Sequence, residues 1–279
     1  MFRDLVVPIT GTSGDTDALD VAIDLATSLD AHLMVLEMVH LPVPMNGPWG
    51  LLPDVVMADI HATLRRRAAN NVAALRLRLD RETIAAEVRA IECMSGSQQS
   101  AASCARCADL VVVAGSTGNP ADAAATHDDF SNLLFESGRP VLVVPPHCNV
   151  AMPPHRIVVA WSPSREATRA LHDAMPLLLK AQAVDIAIVD PGGGERGHGD
   201  QPGADIATHL ARHGVKANVD VLDAQGEPIG SVLLDHACRM GADLLVSGGY
   251  GHSRVREWAL GGVTRELLTF APIPVFYSH

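Results

Sequence analysis

The chain repeats itself, and nothing else in it constrains the fold as strongly. RDLVVPIT at residues 3–10 is answered by RIVVAWS at 156–162, ADLVVVAGSTG at 108–118 by ADLLVSGGYG at 242–251, and LLFESGRPVLVVPPH at 133–147 by LLTFAPIPVFYSH at 267–279. Two diverged copies in the same order imply duplication of a whole domain. A chain of 279 residues suits two domains of about 140 residues each. The boundary falls in the stretch from Pro145 to Pro154, which proline pairs bracket, giving domains at 1–146 and 154–279. The offset between copies is 152 at the first strand (Leu5 to Ile157) and 134 later (Ala108 to Ala242). The first copy therefore carries an insertion, expected to include the Pro- and Gly-rich stretch Leu41 to Pro53 with Trp49.

Within each copy, strands alternate with helices. Strands are predicted near 4–10, 32–40, 84–92, 109–115 and 140–145, then near 156–161, 184–190, 215–223, 242–248 and 273–278. The amphipathic segments Asp15–Leu29 and Ser164–Ala181 read as the first helix of each copy. Runs such as LVVVA, VLVVP and IVVAW are apolar throughout, as expected for parallel strands covered on both faces. The pattern predicts an α/β chain of two tandem doubly wound domains, each a five-stranded, mainly parallel sheet flanked by helices.

Charge and cysteine content narrow the function. There are 32 acidic and 21 basic residues, a formal charge of −11, which argues against nucleic acid as a partner. Arg65-Arg66-Arg67 reads as a solvated helix face. No window of 18 residues is apolar and uncharged, and the start lacks the apolar core and cleavage site of a signal peptide, so no membrane span is expected. Five cysteines at wide spacings read as reduced thiols, and the expected location is cytoplasmic.

The most informative segment is SGGYGHSRVREWALGGVTRELL at 247–268. Gly248, Gly249 and Gly251 follow a strong strand and permit close approach of a ligand to the backbone. Gly261 and Gly262 precede Val263 and Thr264, where a helix starts and offers unpaired N–H groups at its positive end. Two glycine clusters and a helix N-terminus can cradle a polyphosphate at the carboxyl ends of the strands. The same glycines also serve as an ordinary turn and an ordinary cap, and spacing alone does not separate the two readings.

The glycine spacing resembles the G-x2-G-x9-G-[ST] motif of the universal stress protein family: Gly248, two residues, Gly251, nine residues, then Gly261 and Gly262. The resemblance runs over nearly the whole chain, twice, and is to the two-domain bacterial type. It implies a strand order of 3-2-1-4-5 in each domain, meeting of the domains through their last strands, and ATP binding in one subclass. Carried onto this sequence, it places Gly248 and Gly251 beside ribose and phosphates. Gly261, Gly262, Val263 and Thr264 then contact phosphate, with His252 and Ser253 in reach. Val189 meets the adenine, and Ala160 and Ser162 close the first strand. Two positions depart from the family. Ser162 stands where ATP-binding members have Asp, suited to ribose or Mg2+, and Gly262 stands where they have Ser or Thr. The backbone cradle survives both changes. In the first copy Gly115 and Gly118 are kept, but nine residues on stand Asp128 and Asp129, whose carboxylates would repel phosphate, and Thr10 holds the Asp position. The first copy reads as a degenerate nucleotide site.

Other motifs carry less. The SGGYGHS segment follows the fourth strand of its domain, unlike the SGGxDS loop of ATP pyrophosphatases, which follows the first. Cys104 and Cys107 form a CxxC late in a helix rather than at a helix start, which favours burial over redox or metal chemistry. His209 and His213 lie at i and i+4 on one helix face, but no Glu completes HExxH, and a solvated face is the favoured reading. No catalytic constellation is legible. The expectation is therefore a regulatory stress-response protein, at most a slow ATP hydrolase, binding ATP or a related adenine nucleotide in its second domain. The alternative is a nucleotide-independent stress protein working through protein partners and a homodimer surface.

Overall fold

The computed structural model describes residues 1–43, 54–94, 99–116, 120–148, 150, 152–192, 201–250 and 262–279. Ten strands form one sheet. The first half contributes β1 (Asp4–Ile9), β2 (His32–Leu41), β3 (Ala86–Met94), β4 (Leu110–Ala114) and β5 (Val141–Val144). The second contributes β6 (Arg156–Ala160), β7 (Ala183–Val189), β8 (Ala217–Leu222), β9 (Leu244–Gly248) and β10 (Val275–Ser278). The order is β3-β2-β1-β4-β5-β10-β9-β6-β7-β8. Each half thus has the order 3-2-1-4-5, with parallel pairing inside it. The halves do not interleave. They join through their last strands, where β10 runs antiparallel to β5 with Phe276 opposite Leu142.

Helices cover both faces because the central strands are apolar on both. Leu5 and Val7 point into one core while Val6 points into the other, and Leu110 and Val112 separate from Val111 and Val113 in the same way. The first core is covered by α1 (Asp15–Leu29), α2 (Asp54–Leu79), α5 (Arg165–Asp173), α6 (Met175–Leu178) and α7 (Ala204–Arg212). The second is covered by α3 (Gln99–Ala105), α4 (Pro120–Ser137), α8 (Ile229–Met240) and α9 (Gly262–Phe270). Both cores run through the junction: Phe276 sits in the first, and Val275 and Tyr277 in the second. No helix among the described residues is long and apolar enough to cross a membrane.

Two expectations change. The segment 164–181 is not one helix but two, α5 and α6, with Pro176 in the first turn of α6. Proline has no N–H to donate back to the carbonyl of His172, so the first helix ends there. The extra length of the first half lies in α2, with 26 residues against 9 in α7. The stretch from Leu41 to Pro53 is not longer than its counterpart between β7 and α7. Residues 44–53, including Trp49, lie outside the described residues.

Candidate nucleotide site in the second half

In the second half β6 lies between β7 and β9, so the crossovers leaving it run in opposite directions. At such a switch point the loops at the carboxyl ends of the strands part and leave a crevice. A cavity of about 280 Å3 opens there, near the low end of the roughly 300–1,000 Å3 usual for small-molecule sites. It brings together Ala160 and Ser162 after β6, Val189 at the end of β7, Gly248 at the end of β9, and Gly262, Val263 and Thr264 at the start of α9. These seven residues, spread over about a hundred positions of sequence, are those the motif and its resemblance single out. Gly251, His252, Ser253 and Gly261 lie outside the described residues.

The cavity has an apolar side and a polar side. Ala187 and Val189 of β7 face Ile229 and Leu233, one turn apart on α8. This wall suits a flat apolar ring. On the other side the first turn of α9 presents backbone N–H groups that no intrahelical carbonyl can reach. Among the described residues nothing lies within 4 Å of a Cβ built at Gly262. Thr264 is buried, and its hydroxyl accepts a hydrogen bond from Tyr250 N (3.2 Å), which ties the end of β9 to α9. Tyr250 itself has a left-handed backbone, φ 56°.

Gly248 answers to packing as well as to any ligand. A Cβ there would stand 2.7 Å from Ala167 N and 2.7 Å from the carbonyl carbon of Glu166. The start of α5 therefore presses directly on the end of β9. Ser164 caps this helix, its hydroxyl accepting from Ala167 N at 3.2 Å. Ser162, exposed, pairs its hydroxyl with that of Ser164 at 3.1 Å. Glu166 supplies a carboxylate to the cavity wall.

Ser164, Glu166, Trp161, Ile229 and Leu233 were not singled out from sequence. Ser164 carried a signal, a serine directly before an amphipathic helix. Ile229 and Leu233 carried none, because their i, i+4 spacing is that of any half-buried helix.

The first half is built differently at the matching place. Asp15 folds the turn after β1 onto its own carboxylate, accepting from Thr10 N (3.0 Å), Gly11 N (2.7 Å) and Thr12 N (3.1 Å) and from the hydroxyls of Thr10 and Thr12. The nest of N–H groups is filled from within. Burial raises the Asp15 pKa above 3.8, against the lowering effect of those hydrogen bonds. Asp129 is also raised, by burial first, with His40 opposing and Asp128 and Asp15 adding to the rise. Three carboxylates thus act on one region of the first half. Gly115 instead lines a separate cavity of about 240 Å3 at the junction of the halves, with Pro145, Pro146 and Phe270. Gly118 lies outside the described residues.

A tandem, doubly wound α/β sheet with a crevice at a switch point defines the architectural class. Within it, the chain has the fold of a tandem universal stress protein. It superposes on a universal stress protein from Archaeoglobus fulgidus with a TM-score of 0.73 at 17% identity, covering 99% of this chain and 96% of that one. A putative universal stress protein from Pseudomonas aeruginosa gives a TM-score of 0.61 at 17% identity, with 99% and 93% covered. A protein of unknown function from Pseudomonas aeruginosa gives 0.59 at 17% identity, with 99% and 92% covered. No family model and no curated protein matches the sequence.

Proposed function

We propose that the chain is a stress-response protein of the universal stress protein type that binds ATP, or a related adenine nucleotide, in the cleft of its second half. One observation carries the reading: a single cavity joins the apolar wall of Val189 and Leu233 to the first turn of α9. An adenine ring fits against the first and phosphates against the second, through backbone N–H groups and the helix dipole. The apolar contact orients the base, and the N–H groups compensate the phosphate charge without any cationic side chain. Mg2+ fits less well. Ser162 offers a neutral hydroxyl already paired with Ser164, and Glu166 is the one carboxylate on the described wall.

The first half binds no nucleotide in this reading, because the Asp15 carboxylate occupies the N–H nest and Asp128 and Asp129 add repulsion. In this reading binding is regulatory, with at most slow hydrolysis. Nucleotide occupancy would set the position of α9 and of Tyr250, and through them the surface shown to protein partners in the cytoplasm. The test is mass spectrometry of small molecules released from freshly purified protein. Release of an adenine nucleotide near one per chain supports the reading. A protein that carries none and takes none up on incubation with ATP leaves the nucleotide-independent reading, which the Ser162 departure and the Glu166 carboxylate favour.

A further inference from the structure

The junction between the halves has an approximate twofold axis, and its two sides are filled differently. Residues 134 apart are equivalent: Gly115 N donates to Val144 O (2.6 Å) as Gly249 N donates to Ser278 O (2.9 Å). β5 and β10 pair antiparallel with the equivalent residues Leu142 and Phe276 opposite each other, so the axis passes between them. Such a contact presents the same patch from each half, and each feature on one side has a counterpart on the other. On one side the end of α4 meets the loops after β9 and β10. The Phe135 ring lies 4.9 Å from Tyr250 and 4.7 Å from His279, and Tyr277 is buried beside Phe130 with ring centres 4.9 Å apart. On the other side the counterparts of Phe135, Tyr250, Tyr277 and His279 are Thr269, Ser116, Val143 and Pro145. Three small side chains and a proline stand in place of four aromatic rings, and all four line the junction cavity of about 240 Å3.

From this asymmetry we propose that the junction cavity binds a small aromatic molecule, one ring or a fused pair, that carries a neutral hydrogen-bond donor, as a phenol or an indole does. The filled side shows what such a place holds. There Tyr250 supplies a ring whose hydroxyl is 2.6 Å from Ser131 Oγ and 3.0 Å from His127 Nε2. The size agrees, since an apolar cavity of about 150 Å3 already holds benzene. The lining agrees as well. Val143 and Val275 lie opposite each other in β5 and β10, and Pro145 and Pro272 add apolar ring surfaces.

The donor follows from α9. Its last turn, ending at Phe270, lines the cavity, and the final carbonyls of a helix lack intrahelical partners and carry partial negative charge. At the end of α4 the matching carbonyl, Glu136 O, accepts from Arg106 Nε at 3.0 Å. The counterpart of Arg106 is Met240, whose side chain has no donor. This end of α9 therefore favours a ligand that donates a hydrogen bond and disfavours a carboxylate. Thr269 and Phe270 are exposed, so the cavity is reached from solvent. It is separate from the nucleotide cleft: from Val263 in the cleft wall to Phe270 is about 10 Å along α9.

The experiment is fluorine NMR of para-fluorophenol titrated with the full chain, in parent and variants. The expected result is saturable binding of about millimolar strength, as suits so small a ligand. Indole should displace the probe, and para-fluorobenzoate should bind several-fold more weakly. Thr269→Phe puts back the ring that Phe135 supplies on the other side. It should weaken binding by more than about tenfold, because ring and ligand claim the same volume. Thr208→Phe is the matched control: Thr208 is also an exposed helical threonine whose hydroxyl bonds the carbonyl four residues back, and it lies on α7, away from the cavity. It should bind as the parent does. No saturable binding, equal binding by Thr269→Phe and Thr208→Phe, or para-fluorobenzoate bound as tightly as the phenol would each overturn the proposal. So would displacement of the probe by ATP, which would place it in the nucleotide cleft. None of the expected results requires a bound nucleotide, so the junction cavity and the nucleotide cleft stand or fall separately.

Discussion

The backbone nitrogen of Ala167 lies 2.7 Å from where a side chain at Gly248 would begin. That contact sets the start of α5 directly on the end of β9 and so fixes one wall of the cleft. A methyl group at position 248 must move the helix, since its nearest neighbours are backbone and cannot swing aside. Gly248→Ala should destabilise the protein by about 1–3 kcal/mol, the range for overpacking a close contact. Gly262→Ser, placed where a Cβ meets none of the described residues within 4 Å, should change stability by no more than about 0.5 kcal/mol. Urea denaturation of the two variants side by side measures the contrast; equal effects would show that Gly248 is not held by packing.

Tyr250 ties the two halves together. Its hydroxyl is 2.6 Å from Ser131 Oγ and 3.0 Å from His127 Nε2, both on α4 of the first half. Its ring lies 4.9 Å from that of Phe135. Tyr250→Phe keeps the ring and removes the hydroxyl, and should cost about 1–2 kcal/mol. A double-mutant cycle with Ser131→Ala should return a coupling energy above about 0.5 kcal/mol. Strict additivity would mean that the hydroxyl pair contributes nothing across the junction.

Asp15 gives a pH signature of the filled nest. Its pKa is raised on folding, so the folded chain takes up the proton before the unfolded chain does. The stability this group contributes is therefore fully present below 3.8 and is lost as pH rises through the higher folded value. Relative to Asp15→Asn, whose side chain does not titrate, the parent should gain stability as pH falls from 7 toward 4. Urea midpoints of both proteins across that range check the sign. A parent that instead loses ground on acidification would mean that the five hydrogen bonds outweigh burial.

Much of the fold was legible because apolar runs such as LVVVA at 110–114 can only be strands covered on both faces. The repeated order of such runs marks the alternating strands and helices of each half, while the strand order 3-2-1-4-5 follows from the family resemblance. Seven cleft residues could be named because motif spacing and fold resemblance place loop ends, and loop ends converge at a switch point. The helix break at Pro176 is written in the sequence but hidden by the amphipathic pattern, which continues past it. Placing the extra length in α2 required the end of a helix that has no strong stop signal before Leu79. Asp15 reads from sequence as an ordinary first-turn acid; only the bend at Thr10 to Thr12 makes it the centre of a nest.

The two departures from the family motif make a direct engineering test. Ser162 is exposed and a Cβ at Gly262 meets none of the described residues within 4 Å, so both accept larger side chains. Ser162→Asp with Gly262→Ser should strengthen ATP binding in the presence of Mg2+ by about 1.5–3 kcal/mol, the scale of a hydrogen bond to a charged group. Without Mg2+ the added carboxylate should bring no gain. A double variant with the parent's affinity in both conditions would show that the cleft does not present these positions to a bound metal–nucleotide complex.

Calorimetric titration of ATP into the parent and into Val189→Asp tests the central claim most directly, since position 189 lies on the apolar wall assigned to the base. The account predicts one ATP per 279-residue chain in the parent and none in the variant. No heat from the parent at millimolar ATP, two nucleotides per chain, or undiminished binding by Val189→Asp would contradict it.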